Sequence, residues 1–226
     1  VLLIDPWVAN PQNPDKEPLK GLTKVDYILV THGHFDHLGQ AVEIGKQSGA
    51  KLIANFELGS NLTRVLGFPK EQAGFDTLMN MGGEISIAKG EVTVAMTPAV
   101  HSSSLEPSSE SHELMFGGAA TGFIILIKDG PTIYHTGDTA YFSDMKLIGE
   151  QYAPDVALIN AGGHFGMEQK MGARAAEDVR AKLVIPHHFA SFPILAQDVK
   201  VLFSELDRRK IPHYQMKPGE TVSFEG

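Results

Sequence analysis

Four side chains able to bind a metal, His32, His34, Asp36 and His37, fall within six residues in Thr31-His32-Gly33-His34-Phe35-Asp36-His37. Directly ahead lies an apolar run, Tyr27-Ile28-Leu29-Val30. Backbone leaving a strand in extended form points alternate side chains the same way, so His32 and His34 can share one metal ion. Asp36 and His37 come as the chain turns and can face a second position beside the first. Gly33 leaves room for close approach of backbone. The competing reading is a histidine-rich surface loop, since ten His occur among 226 residues. Three His and an Asp in this order, at a strand end, favour a metal site.

The residue types narrow what such a site can be. The chain has no Cys, so it has no disulfide framework, and any metal must be held by His, Asp or Glu. A net charge of -8 argues against a large nucleic-acid surface. The basic cluster Arg208-Arg209-Lys210 sits at the end of a predicted helix, where it complements the helix dipole. No apolar run approaches the roughly 20 residues that span a membrane. The expectation is a cytoplasmic protein of one domain, 1–226, acting on a small molecule with neither nucleic acid nor membrane as partner. A homo-oligomer is compatible with it.

Along the chain, apolar runs alternate with helical spacing, which points to a layered α/β protein. Strands are expected at 1–4, 25–30, 51–54, 91–97, 123–127, 132–135, 155–160 and 183–185, with closing strands in 214–224. Helices are expected at 39–48, 55–66 capped by Asn55, 142–151 and 172–181, with a last long one whose stripe is Leu195, Val199, Leu202, Phe203 and Leu206. Asp129-Gly130 reads as a hairpin turn. Segments 10–20, 70–83 and 102–111 read as loops or insertions that set selectivity. The motif, His101, Asp138 and His188 each follow the end of an apolar strand. Loops at one sheet edge are where such side chains can converge on a rigid scaffold. Each has a plainer alternative: a buried His bonded to backbone for His101, a helix cap for Asp138, and a turn former before Pro6 for Asp5.

His-x-His-x-Asp-His after a strand resembles the signature of the metallo-β-lactamase fold superfamily. Further segments agree in order: Leu3-Ile4-Asp5-Pro6, His101-Ser102-Ser103, 117–122, His135-Thr136-Gly137-Asp138-Thr139, Gly162-Gly163-His164-Phe165 and Pro186-His187-His188-Phe189. The chain resembles most the UPF0173-type metal-dependent hydrolases, with ascorbate 6-phosphate lactonases as more distant relatives. The resemblance implies an αββα sandwich of two mixed sheets flanked by helices. Members carry an earlier hairpin with a Gly-His-Ser segment, so the N-terminal hairpin is expected to be missing ahead of Val1.

The resemblance also implies the ligand set. His32, His34 and His101 would hold one metal, Asp36, His37 and His188 a second, and Asp138 would bridge them. About seven protein ligands are what two such ions need, and N and O donors suit Zn²⁺ while admitting Mn²⁺ or Fe²⁺. The family pattern makes His188 the ligand and leaves His187 as a substrate contact or a structural neighbour. Phe189 stands where relatives often have Tyr, and Asp5 takes a role behind the ligands. His164 is a candidate for substrate binding or charge stabilisation, with a partly exposed loop His as the alternative. His112, His135 and His213 are given no direct role, His135 being at most a partner of Asp138.

Two metals lower the pKa of shared water, giving a hydroxide that attacks an electrophilic carbon or phosphorus, with Asp36 orienting or receiving its proton. No Gly-x-Ser-x-Gly elbow is present and none is needed. The expected function is hydrolysis of a small ester, lactone or related substrate. Alternatives are a metal-dependent phosphodiesterase and a metal-binding protein that no longer catalyses. Redox use of a di-iron site is disfavoured because such relatives carry a carboxylate where this chain has His34.

Overall fold

The computed structural model describes residues 1–107 and 113–224. They divide into two compact units, Val1–Ile85 with Ser102–Ala120, and Ser86–His101 with Thr121–Gly226.

The first unit is built on a four-stranded parallel sheet. Strands β1 (Leu2–Ile4), β2 (Tyr27–Leu29), β3 (Lys51–Asn55) and β4 (Leu78–Met79) lie in that order. Parallel neighbours need crossover connections. These are supplied by α1 (Phe35–Leu38) and α2 (Ala41–Ser48) between β2 and β3, and by α3 (Phe56–Arg64) between β3 and β4. α2 buries Ala41 and Ile44 and ends where Gly49 enters the left-handed region and donates its N–H to the Gly45 carbonyl. Asn55 caps α3, its side chain accepting from the Leu58 amide at 2.9 Å. Ile28, Ile44, Leu52, Leu58 and Leu62 are wholly excluded from solvent. Each contributes roughly 1.5–3 kcal/mol by leaving water.

The second unit carries a six-stranded mixed sheet. Its strands are β5 (Glu84–Ile87) and β6 (Val92–Pro98); the chain then returns to the first unit for the short hairpin of β7 (Ser104–Leu105) and β8 (Met115–Phe116). It comes back with β9 (Thr121–Ile127), β10 (Thr132–His135), α4 (Met145–Tyr152), β11 (Val156–Asn160), α5 (Gln169–Asp178), β12 (Leu183–His187) and α6 (Lys200–Arg209). The sheet order is β12-β11-β10-β9-β6-β5. β6 and β10 each pair antiparallel with β9, so they share a direction, and β11 and β12 follow β10 in parallel. The C-terminal ends of β6, β10, β11 and β12 therefore lie along one edge. That edge carries His101, Asp138 and His188 in the loops just beyond it. Small residues let α5 approach closely, with Ala173, Ala175 and Ala176 fully buried. At the opposite end of β10 and β11, Asp155 accepts from the Thr132 amide and from Lys182 at 2.7 Å, and the ammonium beside it draws its carboxyl below the usual range. Tyr134 lies at the centre of the core, where burial pushes its hydroxyl up to about 12.

Most expected elements are present, with shifted ends. α4 begins at Met145 rather than Phe142, and α5 spans Gln169–Asp178, three residues ahead of the expected segment. Two expectations fail. The last helix covers only Lys200–Arg209, because Leu195 and Val199 pack into the core from the preceding turns, so apolar spacing ran past the helix start. Segment 214–224 forms no strand; its neighbour His213 makes a single bridge to Val184. The loop expected at 102–111 contains β7, with Leu105 buried, while 108–111 and His112 lie outside the described residues. Segment 70–83 holds one short helical turn and β4.

Candidate metal centre

In the first unit the geometry starts from Asp5, which follows β1 at the C-terminal edge of the parallel sheet. Its backbone has φ of 46°, a conformation more accessible to Asp than to most residues and one that marks constrained sites. Asp5 Oδ1 accepts from the Thr31 amide at 2.8 Å. Its Oδ2 accepts from the Thr31 hydroxyl and pairs with His37 Nδ1, both at 2.7 Å. Asp5 thus stitches the end of β1 to the motif that follows β2.

These bonds fix the protonation pattern of two imidazoles. A carboxylate only accepts, so Nδ1 of His37 carries a proton, and the neutral ring presents Nε2 as a lone pair. The hydroxyl hydrogen of Thr31 is spent on Asp5, so its oxygen accepts from His32 Nδ1 at 3.0 Å. His32 likewise presents Nε2. Orienting a ligand imidazole through its other nitrogen is how proteins set tautomer and basicity before an ion binds.

The remaining donors of this unit stand close by. His34 Nδ1 lies 2.9 Å from His32 Nε2, and the His32 and His37 rings are 4.0 Å apart. Asp36 Oδ2 is 3.8 Å from His37 Nε2. His32 and His37 are buried, while His34 and Asp36 are partly open to solvent. Gly33 behaves as its sequence position implies, since a Cβ there would meet the Ser104 carbonyl oxygen at 2.7 Å. The structure therefore brings His32, His34, Asp36 and His37 together.

In the second unit Asp138 is the counterpart of that hub. Val100 N–H donates to Thr139 Oγ1 at 2.9 Å and the Ala140 amide donates to the Val100 carbonyl at 3.0 Å, which holds the loops after β6 and β10 side by side. Asp138 Oδ2 is then 3.2 Å from His188 Nε2 and 3.9 Å from His101 Nε2. Asp138 caps no helix, because α4 starts only at Met145. His188 follows β12 directly with φ of 59°, a constrained backbone at the edge of the second unit's sheet. His101, Asp138 and His188 are thus brought together as well.

The other histidines separate cleanly. His187 Nε2 meets Thr136 Oγ1 at 3.2 Å and its ring stacks on His135 at 4.6 Å, which makes it a packing partner at the ends of β10 and β12. His135 Nδ1 accepts from the Gly137 amide at 3.1 Å, shaping the turn into Asp138. His164 is exposed and rests edge-on against Phe165. His213 stacks on Phe203. Two residues that matter were not singled out by the motif. Thr31 was visible as the residue before the first His, and Asn160 as the last residue of a strand before a Gly-Gly turn.

A Beta-lactamase superfamily domain matches residues 1–189. A UPF0173 metal-dependent hydrolase of Thermodesulfovibrio yellowstonii is 47% identical over 228 residues, covering 100% of this chain and 85% of that protein. The chain belongs to the UPF0173 metal-dependent hydrolases of the beta-lactamase superfamily. Among solved structures, Igni18, a metallo hydrolase from Ignicoccus hospitalis, shares 35% identity at a TM-score of 0.84, covering 100% of this chain and 91% of its own. An isothiocyanate hydrolase from Delia radicum gut bacteria has the same fold at 20% identity and a TM-score of 0.72, covering 99% of this chain and 92% of its own. The chain is thus a metal-dependent hydrolase with the fold of this superfamily. Among the described residues no helix is long and apolar enough to cross a membrane.

The donors fit a divalent ion. They are imidazole nitrogens and carboxylate oxygens only, a set that suits Zn²⁺ and accepts Mn²⁺ or Fe²⁺. Two imidazoles already have their Nε2 lone pairs set by the Asp5–Thr31 network. Thr31→Val keeps shape but removes the oxygen that accepts from His32. It is expected to weaken metal binding by roughly 10–100-fold, the usual cost of losing a ligand's outer partner. Competition with a chromophoric chelator measures this directly.

Proposed function

We propose that this protein hydrolyses a small ester or lactone at a dinuclear centre, most simply of Zn²⁺. His32, His34 and His101 would serve one ion, Asp36, His37 and His188 the other, and Asp138 both. Joining the two donor sets rests on chemistry. Each set alone offers too few donors for two ions, and together they offer the seven that a bridged pair requires. The observation that carries the reading is the Asp5 network, which spends a buried carboxylate and a strained backbone on holding two imidazoles as ligands. Such an investment is idle without an ion.

Bound divalent ions supply a Lewis acid and an acidified water. Asp36, whose side chain beside His37 is one-tenth exposed, would take up a proton from the attacking water and return it to the alkoxy oxygen as that oxygen leaves the carbonyl carbon. His164, exposed in the turn after β11, would be available to contact the substrate. Asp5, Thr31 and Asn160 hold the ligands and take no part in proton transfer.

Turnover of aryl esters, lactones and small phosphodiesters by the metal-loaded protein tests this reading. Ester or lactone cleavage that is lost on chelation and restored by Zn²⁺ is the expected result. Phosphodiester cleavage alone would replace the substrate class, and no metal-dependent turnover of any class would overturn the enzyme.

A further inference from the structure

Asn160 ends β11 and is completely buried. Its side-chain amide is engaged at both ends. Nδ2 donates to Asp138 Oδ1 at 2.7 Å. Oδ1 accepts from the Gly162 amide at 3.2 Å and the Met167 amide at 2.9 Å. Its own backbone N–H donates to Thr136 Oγ1 at 3.2 Å, on the turn that leads to Asp138. The fit around the amide is tight, since a Cβ on Gly166 would meet Asn160 Oδ1 at 2.1 Å.

We infer that Asn160 is a positioning residue that fixes which Asp138 oxygen faces the ions and ties that orientation to the 161–167 turn. With Oδ1 engaged by the amide, the carboxylate cannot rotate freely, and Oδ2 is the oxygen turned toward His188 and His101. Only an amide meets the demand here. It donates to a carboxylate on one side and accepts from two N–H groups on the other. An Asp in its place keeps the acceptor and loses the donor, while a Leu loses both. The same amide folds the turn that bears His164, so the ligand and the substrate-facing turn move as one piece. This inference rests on the metal-centre reading above.

Cobalt(II) binding to the full chain tests it, with the visible absorption of the bound ion reporting on the geometry of its ligands. In Asn160→Asp the turn keeps its acceptor, so far-UV circular dichroism stays that of the wild type. The cobalt absorption is expected to shift, and affinity to fall roughly 10–100-fold. Asn160→Leu is expected to do the same and also to lower the denaturant midpoint, because two buried N–H groups lose their acceptor. An Asn160→Leu protein with wild-type absorption and affinity overturns the inference while leaving the metal centre intact. A wild-type chain that binds no cobalt overturns the metal centre and this inference with it.

Discussion

Asp138→Ala is expected to cost more metal affinity and turnover than any other single change at the site. Its carboxylate is 3% exposed and engages His188 on Oδ2 and Asn160 on Oδ1. As the bridging anion of the proposed centre it would contact both ions. Its loss should therefore exceed the roughly 100-fold upper range seen for outer-shell partners. Stability should change far less. One buried N–H of Asn160 is orphaned, a cost of about 1–3 kcal/mol. The separation of the two effects is the useful part: equilibrium dialysis against Zn²⁺ should show collapse of binding while the denaturant midpoint of the metal-free protein moves modestly. If binding and midpoint fall in proportion, Asp138 acts through folding, and its ligand role is wrong.

Gly39→Ala is expected to give the largest loss of stability. Gly39 closes α1 with φ of 44° and ψ of -123°, which a residue with a Cβ rarely adopts. A Cβ there would lie 2.4 Å from Trp7 Cα and 2.5 Å from the Pro6 carbonyl oxygen, and backbone cannot rotate away as a side-chain tip can. Strain and overpacking each cost about 1–3 kcal/mol. Together they would remove a large share of the roughly 5–15 kcal/mol that holds a domain folded. The damage should also reach the site, because Pro6 and Trp7 continue directly from Asp5, the residue that orients His37 and Thr31. Gly49→Ala is the control. Its φ is also positive, at 77°, but nothing lies within 4 Å of the new Cβ, so it should cost only about 1–2 kcal/mol. Urea midpoints compare the two. Equal losses would mean that the close approach at Pro6 and Trp7 contributes nothing.

Much of the candidate site was legible because its His and Asp side chains sit at strand ends, and strand ends are marked by where an apolar run stops. His32, His34, His101, Asp138 and His188 all obey that rule, and sheet direction then sets the last three along one edge. What the sequence could not express is which polar side chain orients which ligand. Thr31 and Asn160 act through hydrogen bonds to residues distant in the chain, 26 positions for Thr31 to Asp5 and 22 for Asn160 to Asp138. No local pattern encodes such partners. The misplaced start of α6 has a similar origin. Leu195 and Val199 are as buried as Leu202, and burial alone does not distinguish a helical stripe from core-facing turns. The closing strands expected in 214–224 failed for the complementary reason, since a strand needs a partner edge as well as suitable residues.

Two donor sets, one organised by Asp5 and one by Asp138, are proposed to hold a pair of divalent ions. Zinc per chain, measured by elemental analysis after loading and exhaustive desalting, tests it most directly. About two ions per chain are expected, as a bridged two-metal site requires. Fewer than one ion per chain, retained by a protein that is folded by circular dichroism, would contradict it.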